Sequence, residues 1–243
     1  MKESKSLADS RLGATPFARP DFHRQQRKGV PEVILTNSKT PDQSLSIAHA
    51  FLERTGRAIL SRVSPELQQA LINEYGSDGF EWYPVSRLAI VRRDGARTPA
   101  TGGRVGVITA GTSDQAIAEE CVIICREMGC TVYTAFDVGV AGLHRLFEPL
   151  EEYLDAGVDV IIVAAGMDGA LPSVVSGLVD VPVIGLPTSV GYGMGGQGQA
   201  ALLSMLQTCS PGLAVVNIDN GIGAAAIAGL IANRAARARK GGE

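Results

Sequence analysis

Residues 104–128 read RVGVITAGTSDQAIAEECVIICREM: a continuous apolar run, a turn of small residues, then helical spacing. The unit repeats. Apolar runs at Arg104–Thr109, Thr131–Ala135, Val160–Ala164, Val181–Leu186 and Leu213–Ile218 alternate with helical segments at Ser113–Met128, Leu143–Ala156, Leu171–Leu178, Gly198–Leu206 and Gly221–Arg237. Strands that are apolar throughout are covered on both faces, and strand–helix alternation implies a parallel sheet. We therefore expect an α/β chain whose C-terminal part is a doubly wound parallel sheet of the flavodoxin type. In such a sheet, ligands sit at the carboxyl ends of the strands.

Upstream, the pattern is smaller in scale. Val33–Leu35, Ala58–Val63 and Leu88–Arg92 read as strands, with helices over Gln43–Thr55, behind the start signal Lys39-Thr40-Pro41-Asp42, and over Pro65–Glu74. The turn-rich segment RDGARTPATGG (93–103) reads as a linker. Three parts follow: a polar, basic arm over 1–28, a small N-terminal α/β domain over 29–100, and the larger domain over 101–243.

Composition narrows the function class. The chain has 243 residues, 45% hydrophobic and 19% charged, with a net charge of −3. It holds no apolar run of membrane-spanning length and no signal-like N-terminus, so we expect a cytoplasmic protein with no membrane partner. Four cysteines are too sparse for a disulfide scaffold. Residues 1–100 hold 15 Lys/Arg against 11 Asp/Glu, while 101–243 hold 7 against 14. No Lys or Arg occurs from Leu146 to Asn233. A phosphate in the larger domain must therefore use backbone amides, a metal or basic residues from elsewhere. With aromatics at 5% and 29 glycines, the composition reads as an enzyme more readily than as a nucleic-acid binder.

Five strand-end loops carry the candidate chemistry. In the first, Gly111, Thr112, Ser113 and Asp114 form a small-residue turn into a helix, with Ser113 as a candidate cap and amides suited to an anion. The second places His144 and Arg145 beside a glycine turn; the alternative for His144 is a solvated first-turn residue. In the third, Asp168 stands among Gly166 and Gly169, where a backbone can approach a ligand closely. The fourth holds Ser189 and Gly191 with glycines at 193, 195, 196 and 198, but lacks the ending of a P-loop. The fifth offers Asp219, for a ribose or metal or as plain turn chemistry. Cys121, Cys125 and Cys130 read as core filling. Cys209, in the turn TCSPG, is a candidate nucleophile if its thiol is activated.

The motifs GTSD, DVGVAGLHR, AGMDGALPSVV, PTSVGYG, CSPG and VVNIDNG, in that order, together with RKGVPEVILTNSKTP upstream, resemble the pyridinium-3,5-biscarboxylic acid mononucleotide synthases, the LarB family. The C-terminal half of that family is similar to PurE-type aminoimidazole ribonucleotide carboxylases. One departure is that many relatives carry Glu where this sequence has Asp168, which keeps the carboxylate but shortens its reach by one methylene. The resemblance implies carboxylation of the pyridinium ring of nicotinic acid adenine dinucleotide by CO2 or bicarbonate, and hydrolysis of its phosphoanhydride to release AMP. The product would feed synthesis of a nickel-pincer cofactor. The resemblance further implies attack by Cys209, Asp168 as base or positioning group, His144 on a carboxylate, Mg2+ at the diphosphate, and a homo-oligomer, an octamer by analogy. An aminoimidazole ribonucleotide carboxylase or mutase is the rival enzyme, and a non-catalytic dinucleotide-binding module the rival outside enzymes. Topology adds one expectation. Cys209 follows a helix rather than a strand, so it belongs at the amino edge, opposite the strand-end loops.

Overall fold

A computed structural model describes residues 17–93 and 97–241. The chain divides into two compact units, residues 1–97 and 98–243.

Unit 1 is built on β1 (Ile34–Leu35), β2 (Arg57–Ser61), β3 (Phe80–Tyr83) and β4 (Leu88–Arg92), in the order β1-β2-β4-β3. Only β1–β2 is parallel; β4 is antiparallel to both β2 and β3. α1 (Arg24–Lys28) is a short helix, and α2 (Pro41–Thr55) starts where the signal around Thr40 places it. The Thr40 hydroxyl accepts from the Gln43 amide at 3.2 Å, and the Gln43 side chain accepts from the Thr40 amide at 3.1 Å. This capping box satisfies two helix-end donors. α3 (Pro65–Tyr75) is capped by Ser64, which accepts from Leu67. Residues 17–28 are not a free arm, because Phe22 packs on Phe51 with ring centroids 5.0 Å apart; residues 1–16 lie outside the described residues. Strand β3 carries no clean alternation and is recruited by pairing with β4 across the turn at Pro84–Arg87.

Unit 2 has five strands, all parallel: β5 (Arg104–Thr109), β6 (Thr131–Ala135), β7 (Val160–Ala165), β8 (Val183–Pro187) and β9 (Leu213–Val215). Their order is β6-β5-β7-β8-β9, which is 2-1-3-4-5 within the unit and defines the flavodoxin-like winding. The expected doubly wound sheet is thus present. α4 (Gln115–Glu127) and α8 (Gly221–Gly241) pack together on one face. α5 (His144–Asp155), α6 (Leu171–Ser176) and α7 (Gln199–Leu206) cover the other, through Leu146, Leu150, Val175, Ala201 and Met205. Strand β9 is shorter than the apolar run 213–218, because the regular ladder ends at Val215; beyond it the Val216 amide still reaches the Gly185 carbonyl and the Asp219 amide that of Pro187, with an irregular turn between them.

The cysteines of α4 lie between the two packed helices. The Cys121 thiol points at the Gly221 carbonyl (3.3 Å) and Cys125 at that of Ala225 (3.7 Å). Burial pushes both thiols well above their usual range, and the Cys130 thiol to about 11. These groups stay protonated and inert, as core filling requires.

On the other face, the Tyr153 hydroxyl donates to the Val107 carbonyl at 3.1 Å, inside the core. The ring packs against Gly106, where a Cβ would meet it at 2.6 Å. Gly106→Ala is therefore expected to destabilise the protein by about 1–3 kcal/mol through overpacking, read as a lower urea midpoint.

Candidate functional site

The strand order reverses between β5 and β7, since β5 leads to β6 on one side and β7 continues to β8 on the other. Adjacent loops diverge there and leave a crevice at the carboxyl edge. A cavity of about 540 Å³ occupies that position. Its walls come from the loops after β5, β6, β7 and β8: Gly111, Ser113 and Asp114; Asp137 and Arg145; Gly166, Met167 and Asp168; and Val190.

Backbone bonds stitch these loops into one rim. The Ala110 amide donates to Ala164, Val138 to Thr109, Thr188 to Ala165, and Met167 to Val190. At the centre lies Asp114, only 3% exposed. It accepts from the Thr188 hydroxyl at 2.6 Å and from the Gly111 amide at 2.9 Å. Burial raises its carboxyl above the usual range, while the Thr188, Gly111 and Gly166 hydrogen bonds pull the other way. A carboxylate so engaged holds loops together better than it grips a ligand. Ser113 is not a helix cap as the sequence suggested: residues 112–114 form a 3-10 turn, and the oxygens at this helix start are those of Asp114.

Asp168 is exposed and is presented by an unusual backbone. Met167 (φ 48°) and Gly169 (φ 60°) flank it in the left-handed region. For Met167 that conformation is strained, and it is held by the bond to Val190. Among the described residues the Asp168 side chain accepts one bond, from the Ala170 amide, long at 3.4 Å, so the carboxylate is available at the cavity. Gly169 is needed because a Cβ there would meet Ala201 at 2.6 Å.

Arg145 supplies the cation of the lining, paired with Asp137 at 3.0 Å. A guanidinium shared with one exposed carboxylate can still fork onto a ligand carboxylate or phosphate.

The remaining candidates lie off this wall. His144 is exposed at the start of α5 and does not line the cavity; Thr112 and Gly191 are exposed, and the Ser189 amide is spent on Asp219 at 2.8 Å. Asp219 (φ 55°) therefore buttresses the β8 loop. Cys209 is exposed, in the α7–β9 connection. Its neighbour Ser210 donates to the Ser173 carbonyl of α6 at 2.8 Å, and neither lines the cavity. The sequence reading passed over Asp137 and Thr188, although both stand at a strand end, the position where polar groups converge. Among the described residues, no three His, Cys, Asp or Glu side chains cluster as a metal cage.

Residues 104–240, more than half of the chain, match the AIR carboxylase family. The chain belongs to the AIR carboxylase family. Its enzymes are of the carboxylase and mutase kind, and unit 2 carries the match. Residues 11–93 match the LarB/PurE-like N-terminal domain. An uncharacterized protein of Methanocaldococcus jannaschii is 42% identical over 217 residues, covering 87% of this chain and 82% of that protein. The N5-carboxyaminoimidazole ribonucleotide mutase of the same organism is 39% identical over 125 residues, 50% of this chain and 74% of that one. A solved structure of a Treponema denticola PurE2 variant aligns with 21% identity and a TM-score of 0.42, over 56% of this chain and 92% of its own. No helix among the described residues is long and apolar enough to cross a membrane.

Proposed function

We propose that this protein carboxylates the pyridinium ring of nicotinic acid adenine dinucleotide and hydrolyses its phosphoanhydride, yielding pyridinium-3,5-biscarboxylic acid mononucleotide and AMP. One observation carries the reading: a LarB/PurE-like N-terminal domain precedes the AIR carboxylase unit, in a chain whose Cys209 alone among four cysteines is exposed. A mutase acting on a purine precursor needs neither feature.

A pyridinium carbon is electrophilic and does not attack CO2. The Cys209 thiolate adds to the ring, forming a C–S bond while an electron pair retreats onto the ring nitrogen. The neutral dihydropyridine then has an enamine carbon that can form a C–C bond to CO2. Asp168 takes the proton from that carbon, the released pair restores the aromatic ring, and the C–S bond breaks to return thiolate. In this reading Arg145, which lines the cavity, holds a ring carboxylate in place of His144, which does not line it. Hydrolysis adds water across the diphosphate. Mg2+ belongs to this reading as a neutraliser of the diphosphate, although among the described residues no side chains cluster as a cage for it.

Cys209 does not line the cavity that Asp168 lines. In the proposal, a second subunit supplies it, giving a site shared within a homo-oligomer. Support comes from large apolar side chains left exposed on the β8 loop and α7: Tyr192, Met194, Leu203 and Leu206.

Offered the dinucleotide and 5-aminoimidazole ribonucleotide separately with bicarbonate and Mg2+, the protein is expected to release AMP from the first and leave the second unchanged by chromatography. Turnover of the purine precursor with an intact dinucleotide would contradict the proposal.

A further inference from the structure

Unit 1 contains a cavity of its own, of about 620 Å³, between the segment 21–32, the end of α2 and the start of β2. Phe22, Phe51, Pro31 and Ile59 give it an apolar side, and Arg54 and Arg57 also line it. Its volume falls within the range of small-molecule sites, roughly 300–1,000 Å³.

The charge on its walls is unbalanced. Asp21 accepts from Arg27 at 2.6 Å and is held below the usual carboxylate range by that bond and by Arg24. Glu32 pairs with Arg24 at 2.6 Å. The two acids are thus matched by two arginines outside the wall, and Arg54 is left without an acidic partner among the described residues. Arg57 donates to the neutral Gln25 side chain at 2.7 Å. The Arg54 guanidinium sits 4.9 Å over the Phe22 ring and, among the described residues, makes no ion pair or hydrogen bond. The cation–π contact positions the guanidinium while its N–H groups remain available to an incoming anion. A positioned, unpaired fork beside an apolar wall is the arrangement that reads a phosphate attached to a ring system.

We propose that this cavity is a second binding site, for a phosphate-bearing small molecule of nucleoside monophosphate size, with its phosphate on Arg54 and its ring against the apolar side. The site stands apart from the proposed reaction: it requires neither Cys209 nor turnover, and its test reads binding alone.

The test is calorimetric titration of the full chain with AMP, adenosine and inorganic phosphate. Arg54 is exposed, so Arg54→Gln leaves the fold intact. AMP is expected to bind saturably, with adenosine and inorganic phosphate at least tenfold weaker. Arg54→Gln should weaken AMP at least tenfold, while Arg145→Gln, in the unit 2 cavity, leaves that binding event in place. No saturable AMP binding, equal affinity for adenosine or inorganic phosphate, or loss of AMP only in Arg145→Gln would each overturn the proposal.

Discussion

Cys209→Ser is expected to abolish carboxylation, lowering turnover by roughly 10³-fold or more. A serine hydroxyl at neutral pH is a far poorer nucleophile toward the ring than a thiolate. Because Cys209 is exposed, the substitution leaves a folded protein, so the loss reads out chemistry. Cys121→Ser and Cys125→Ser should instead lower stability, as both side chains are fully buried between α4 and α8. The same position tests the shared site. Mixing inactive Cys209→Ala with inactive Asp168→Ala protein, under conditions of demonstrated subunit exchange, is expected to restore activity. Full activity of Cys209→Ser would contradict the covalent mechanism, and persistent inactivity of the mixture would contradict the shared site.

Gly166→Ala is expected to cost about 10²-fold in activity, the scale of a misplacement of about 1 Å at a reacting centre. A Cβ at Gly166 would lie 2.2 Å from the Val190 carbonyl oxygen and 2.8 Å from the Thr188 hydroxyl. The β7 and β8 loops would have to part there, putting the Met167–Val190 bond and the Thr188–Asp114 latch under strain together. Asp168 then loses the backbone that presents it. Gly177→Ala is the control: its Cβ would find only ordinary contacts, none nearer than 3.5 Å, and activity should hold. Equal activity in the two variants would show that the stitched rim does not position Asp168.

Much of the fold was legible because its signals are local and repeated. The runs at 104–109 and 131–135 are strands at those bounds, and Thr40-Pro41 starts α2 where the capping chemistry places it. β3 was not legible. Its half-exposed FEWY becomes a strand only through pairing with β4, a contact that periodicity does not encode. The first site loop shows the same division. Gly111, Gly166 and Asp168 could be read from their place at strand ends, since topology alone brings those ends together. The role of Asp114 could not, because it depends on Thr188, 74 positions away. Asp219 likewise looked like a ligand group, and its bond to the Ser189 amide, 30 residues upstream, makes it a buttress. Phe22 was hidden for the opposite reason: a polar, basic stretch masked the one aromatic ring that anchors it on Phe51.

The measurement closest to the central claim is incubation of the protein with nicotinic acid adenine dinucleotide and carbon-13 bicarbonate in the presence of Mg2+, followed by mass spectrometry. The account predicts a pyridinium biscarboxylate mononucleotide carrying one labelled carbon, formed together with AMP. A product without label, or label confined to an aminoimidazole ribonucleotide supplied in the same mixture, would contradict it.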